Sequence, residues 1–268
     1  MAVRDTYYFG LGMVYTAPLD AEGRRIGPFK WVGNVPSLSI AIAVEKVEKL
    51  ESYSGQRNAV RSIVTSQTAS INASFDQFDV ENLALILNGV AIEKSDTTPI
   101  SGVVIGTAAD TKEGDMVILH DALGNEYLNV SAVTLEAGST PLVLGTHYEL
   151  DELAGAVTFK DVSTLTGDIT ADFTPGPFQI ANILTVNSVN RAFRFIGKNI
   201  AEIDSAGEAD RVIVDLFKVQ LDPTSDLQLI NEDFSSFPVT GTALVDSTRS
   251  KSGDLGQFGA IRTVSSGI

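Results

Sequence analysis

The sequence predicts a mainly β protein with one short helix: a β-sandwich or barrel-like core interrupted by a small inserted β domain. Three observations carry this expectation. Two segments, "PSLSIAIAVEKVEKL" at 36–50 and "RSIVTSQTASINASF" at 61–75, alternate apolar and polar residues over lengths far beyond the usual strand. Residues 95–175 break into short strand-like runs separated by turn residues. Strong strand patterns resume after 178 in two more long segments. The expected division is therefore a discontinuous core, 1–94 with 176–268, around an insertion at 95–175.

The elements follow in order. "FGLGMV" at 9–14 has two glycines without a third, and reads as a strand start rather than a dinucleotide loop. In the first long strand Leu38, Ile40, Ile42 and Val44 share one face, and Ser37, Ser39, Ala41, Ala43 and Glu45 the other. In the second, the even positions Ser62, Val64, Ser66, Thr68, Ser70, Asn72 and Ser74 form a polar set. The odd positions Ile63, Ala69, Ile71, Ala73 and Phe75 form a packed one. At ~3.3 Å per residue this strand would run roughly 45 Å. The connection 51–61 is longer than a usual hairpin loop, so the pair reads as a long hairpin with a protruding tip.

A helix is expected in "DQFDVENLALILNG", capped by Asp76 or Asp79 and stopped at Gly89, with Val80, Leu83, Ala84 and Leu87 on one face. A short buried strand over Leu83–Leu87 is the competing reading. "SDTTP" and "TPGP" flank the insertion, whose strands are expected in "SGVVIG", "DMVILH", "NEYLNVSAVT", "GAVTFK" and "GDITADF". "ANILTVNSVNRAFRFIGKNI" and "DRVIVDLFKVQL" give the late strands, with a turn at Gly207 between them and a Gly- and Ser-rich tail expected to fray.

Composition narrows the function classes. There is no Cys, which excludes disulfides, thiolate chemistry and Cys-ligated zinc. No signal-peptide core and no run of ~18 apolar residues is present, so the expected setting is a cytoplasm or something assembled there. The net charge of −15 opposes a nucleic-acid-binding surface. Between Glu93 and Pro175, 14 acids meet three bases, giving −11 and leaving −4 for the rest. The acidity belongs to the insertion.

Catalytic and metal signatures are not found. His120 and His147 lie in no zinc-binding spacing, "GKN" at 197–199 lacks the P-loop frame, and no G-x-S-x-G occurs. The acidic pairs lack calcium-loop order. No enzyme activity, metal or cofactor is expected. The unusual feature is the uncharged face of Ser, Thr, Ala and Asn. A core rejects unpaired hydroxyls, and open surfaces usually carry more charge. The wall of a wide water-filled β-barrel is a third environment, and it suits short uncharged side chains.

The order of long strand, loop, long strand, helix and late paired strands resembles the tail tube (major tail) proteins of long-tailed bacteriophages. The likeness covers about 30–90 and 178–248. It is carried by the 35–89 stretch, by "FRFIGKNIAEIDSAGEADRVIVDLFKVQLDPTSDLQLI" and by "FSSFPVTGTALVDSTR". The resemblance implies hexameric rings stacked into a hollow tube, with the long strands of six protomers closing one inner barrel for genome delivery. It also implies a tape-measure protein inside during assembly, tail terminator and tail-tip proteins at the ends, and transient passage of double-stranded DNA. The location would be the virion tail, assembled in the host cytoplasm. On this reading Ser37, Ser39, Ala41, Ala43, Ser62, Ser66, Thr68, Ser70 and Asn72 line the lumen. Glu51, Tyr53, Gly55, Arg57 and Arg61 form an inter-ring contact loop, and the 95–175 domain faces outward. Two other readings stand beside it: an adhesin-like β-sandwich binding or decoration module, and a ring protein of a contractile injection or secretion tube. Self-assembly separates the binding module from both tubes.

Overall fold

The computed structural model describes residues 7–53, 55–163, 165–186, 189–203, 209–250 and 252–264. In chain order the first elements are β1 (Gly10–Pro18), β2 (Lys30–Trp31), β3 (Ser37–Leu50), β4 (Ala59–Phe75), α1 (Val80–Ile86) and β5 (Ala91–Lys94). Then come β6 (Ile100–Thr107), β7 (Met116–Ile118), β8 (Ser131–Ala137), β9 (Thr140–Pro141), β10 (Tyr148–Asp151), β11 (Ala156–Phe159) and β12 (Asp168–Thr174). The last are β13 (Phe178–Ala181), β14 (Val189–Ile203), β15 (Ala209–Asp222), β16 (Phe237–Ala243) and β17 (Gly259–Val264). The protein is mainly β with one short helix and several antiparallel sheets. It divides into two units, Met1–Ala91 with Ala181–Ile268, and Ile92–Ile180.

The first unit is an antiparallel sheet in the order β2-β1-β14-β15-β16-β4-β3, with β17 added to β15. One edge of β15 is shared: Val219–Asp222 pair with β16, and Arg211–Leu216 with β17. Among the described residues no sheet closes into a barrel, and β2 and β3 remain as edges. The core lies on one face of this sheet, where Ile71, Phe75, Val219, Leu221 and Val239 cluster with Leu85 and Ile86 of α1.

Local chemistry fixes the helix. The Asp79 carboxylate accepts from the Asn82 backbone N–H at 2.8 Å, satisfying one of the free first-turn donors. Buried Asn82 donates from Nδ2 to the Val32 carbonyl at 3.0 Å, tying α1 to the strand region beside it. Asp79, not Asp76, is therefore the cap. The chain turns after α1 at Asn88, whose φ is +48°, rather than at Gly89. Gly89 answers a different need: a Cβ there would lie 1.7 Å from the Asn182 carbonyl oxygen. It permits close backbone approach.

The tail is more ordered than its composition implies. β17 pairs with β15, and Arg262 on it reaches buried Asp215 of β15. Asp215 also accepts from Arg194 Nε of β14 at 2.6 Å, so one carboxylate ties three adjacent strands. Residues 265–268 and the expected Gly207 turn lie outside the described residues.

The second unit holds a β10-β11-β7 sheet, a β6-β12-β8-β9 sheet and its own core of Leu119, Leu135, Val157, Phe159, Ile169 and Phe173. Only the end of "NEYLNVSAVT" is strand. Asn129 sits at φ +52°, which breaks extended backbone before β8 begins at Ser131. The chain leaves and re-enters the first unit through the β5–β13 ribbon.

Two outcomes follow from this packing. Phe75, 1% exposed, should cost about 3–5 kcal/mol on change to Ala, whereas exposed Thr68→Ala should stay within ~0.5 kcal/mol, as read by chemical denaturation. Because each unit has a separate core, replacing 92–180 by a short Gly/Ser bridge should leave a soluble first unit that unfolds cooperatively. Insoluble, unfolded product from that deletion would show that the first unit depends on the second.

Candidate assembly surface on the long hairpin

β3 and β4 pair antiparallel from Ser37 opposite Ser74 to Leu50 opposite Ala59. Near its base the hairpin follows strict alternation. Leu38, Ile40, Ala69, Ile71 and Ala73 turn to the core. Ser37, Ser39, Ala41 and Ala43 stand opposite Ser74, Asn72, Ser70 and Thr68 on the other face. That face continues across the sheet through one register row, Ala41–Ser70–Thr242–Gln220–Asn190. The neighbouring row, Ser39–Asn72–Thr240–Asp222, brings a single carboxylate.

A bulge at Thr65 then changes the pattern. Glu45 lies opposite Ser66, but Lys46 lies opposite Val64, so Thr65 is the extra residue. Its hydroxyl donates to the Glu45 carbonyl at 3.3 Å. An extra residue shifts the β4 side chains between it and the tip to the opposite face of the ribbon, as far as a second register shift at Val60. Ser62 and Val64 therefore join the Val44 face, while Ile63 and Arg61 join the Ser66–Ser74 face. The even-numbered set is thus not continuous, and Ser62 leaves the proposed lumen row. Val64, the one large apolar residue among hydroxyls in that set, was the sequence signal of the break.

Exposure also departs from expectation. β16 accompanies β4 only from Ala69 to Phe75, so 59–68 and their β3 partners form a two-stranded ribbon with no further described strand on either edge. Ten residues at ~3.3 Å reach about 33 Å. Both faces are open: Ile42 is 77% exposed, Ile63 53%, and Val44, Val47 and Val64 are also exposed. Ile42, Val44 and Ile63, expected in the packed set, have nothing of this unit to pack against. A two-stranded ribbon is at best marginally stable alone in water, and long unpaired edges recruit other strands.

The tip is a turn of residues 51–58 rather than 51–61, since β4 begins at Ala59. Arg61 is a strand residue directly opposite Lys49, a like-charge pair that a neighbouring carboxylate would relieve. Buried Glu51 is engaged within the turn: its N–H donates to the Asn58 carbonyl at 2.9 Å, and Asn58 Nδ2 donates to its Oε1 at 3.2 Å. It is not a free contact for another molecule. Tyr53 is 84% exposed, and Gly55 and Arg57 sit at φ +78° and +54°. Ser54 lies outside the described residues.

The surface carries exposed apolar side chains, short hydroxyls and the Lys49–Arg61 pair. Both histidines lie in the second unit and are held by local backbone, His120 Nδ1 with the Asp121 carbonyl at 2.8 Å and His147 Nδ1 with the Val143 N–H at 2.9 Å. Among the described residues no group of His, Asp and Glu gathers as a metal site would require.

A family model described as "Protein of unknown function UCP028589" matches residues 7–262. The chain belongs to this family. The UCP028589 match takes in both units, the long hairpin and its tip. No curated protein matches the chain.

Proposed function

We propose that this protein is a structural subunit of a bacteriophage tail tube, forming hexameric rings that stack into a conduit for the genome. The observation that carries the reading is the β3–β4 ribbon, ten residues long beyond β16, open at both edges and on both faces. Neighbouring copies would supply the missing backbone partners and cover Ile42, Val44, Val47 and Ile63. Closing the ring removes the edges altogether. The uncharged rows give the second support. Ser37, Ser39, Ala41, Ala43, Ser66, Thr68, Ser70 and Asn72 form a stretch of one face without Lys or Arg, which join that face only nearer the tip at Lys49 and Arg61, so a lumen made from this stretch would not hold DNA phosphates. The acidic second unit would face outward, and the tape-measure, terminator and tip proteins would be the further partners.

The tests use full-length protein. Sedimentation should show rings or filaments growing with concentration, with tubes in negative-stain images. Ile42→Lys should hold the chain as a folded monomer, because the side chain is exposed and its substitution costs the protomer little. A native chain that stays monomeric at every concentration would favour the binding-module reading. Ser66→Lys with Ser70→Lys should permit tubes but slow genome delivery through phosphate binding. Arg57→Glu should give folded protein and short tubes, if the tip bridges rings; native-length tubes would remove the tip from that role.

A further inference from the structure

A second feature of the first unit is unexplained by the hairpin. Arg191, on β14, lies in the register row Arg191–Val219–Ala243–Ala69–Ile42, which is the core-facing side of the sheet. Val219 and Ala243 beside it are buried. Arg191 is half-buried, and its Nε is fully buried without a hydrogen-bond acceptor. Burial lowers the guanidinium pKa, and the Glu81 carboxylate, which lines the same cavity, partly opposes that. Glu81 itself pairs with Lys30. An arginine placed like this needs an acceptor from elsewhere, because desolvating an unpaired cation is costly.

Arg191 lines a cavity of about 430 Å³, with Pro18, Leu19, Leu85 and Val90 as apolar wall and the Lys30–Glu81 ion pair on its rim, so Arg191 is the cation there without a carboxylate of its own among the described ion pairs. A charged group set in a largely apolar concavity of this size is how side chains of a docked segment are held. The occupant should therefore carry a carboxylate next to large apolar side chains.

One stretch of this chain has that composition and, beyond Leu227 on the core and Thr224 bonded to the Ile86 carbonyl, leaves its large apolar side chains unused in the protomer. Between Asp222 and Phe237 lie Asp226, Glu232 and Asp233 with no Lys or Arg. Leu229, Ile230 and Phe234 project from the same loop into solvent, Phe234 entirely. Exposed side chains of this kind on an acidic loop mark a contact surface.

We propose that the Arg191 cavity receives the 226–236 loop of a second copy of the chain, with Glu232 or Asp233 on the guanidinium and Phe234 or Ile230 against the apolar wall. The proposal rests on the self-assembly reading above, and it adds a contact separate from the hairpin. Such a cavity-to-loop contact can be passed from copy to copy head-to-tail, as a ring or a stack requires.

The test is a charge exchange in the full chain. Arg191→Glu and the double variant Glu232→Arg, Asp233→Arg should each stay folded by circular dichroism and fail to assemble alone. Mixed in equal amounts they should assemble, because each cavity then meets a loop of opposite charge. The loop substitutions lie on exposed backbone, so they test the contact even if Arg191→Glu misfolds. Native assembly by the loop variant alone, or a folded pair that fails to assemble on mixing, overturns the contact and leaves the hairpin reading standing. A native chain that never assembles overturns both.

Discussion

An extended backbone in water is held only by what lies beside it, and this constraint governs the protein. The central strands of the first unit, β14, β15, β16 and the inner half of β4, each have neighbours and a packed face. Asp215 ties β14, β15 and β17, and α1 covers the rows beneath Ile71, Phe75 and Val219. The ribbon of β3 and β4 beyond Ala69 has only its own cross-strand hydrogen bonds. Its apolar side chains gain nothing in the free protomer, since apolar area stabilises only when removed from water. The fold thus contains a well-packed body and an arm whose faces and edges nothing in the described protomer covers.

Much of this was legible in the sequence. The alternation at 36–50 and 61–75 located both long strands, and the capping carboxylate with its periodic apolar residues located α1. Two things were not. A bulge leaves almost no local trace, because Thr65 and Ser66 are both ordinary strand residues, and only the out-of-phase Val64 marked it. Burial was also over-read: alternation reports which side chains share a face, but not whether anything covers that face. Ile42 and Ile40 are equivalent by pattern, yet only Ile40 meets the core.

Arg191 was hidden for the opposite reason. In "NRAFRF" alternation sets Arg191 on the face of Phe193 and Phe195 and Arg194 on the other, where Arg194 finds Asp215. The face is legible from the alternation, but the row beside Val219 and Ala243 is not. That row follows from register across three strands, which involves residues 28 and 52 positions away.

The β5–β13 ribbon has a bearing on how the chain reaches its structure. β4 must find β16 across the whole of residues 92–180, and closing so long a loop costs entropy before any contact repays it. The second unit has its own core, so it can fold first. Once it has, the paired β5 and β13 hold its ends together, and the search for β16 proceeds as if the intervening residues were a short link. The insertion then acts as an internal clamp on the folding route, and its removal would leave the final core unchanged while altering the rate at which it forms.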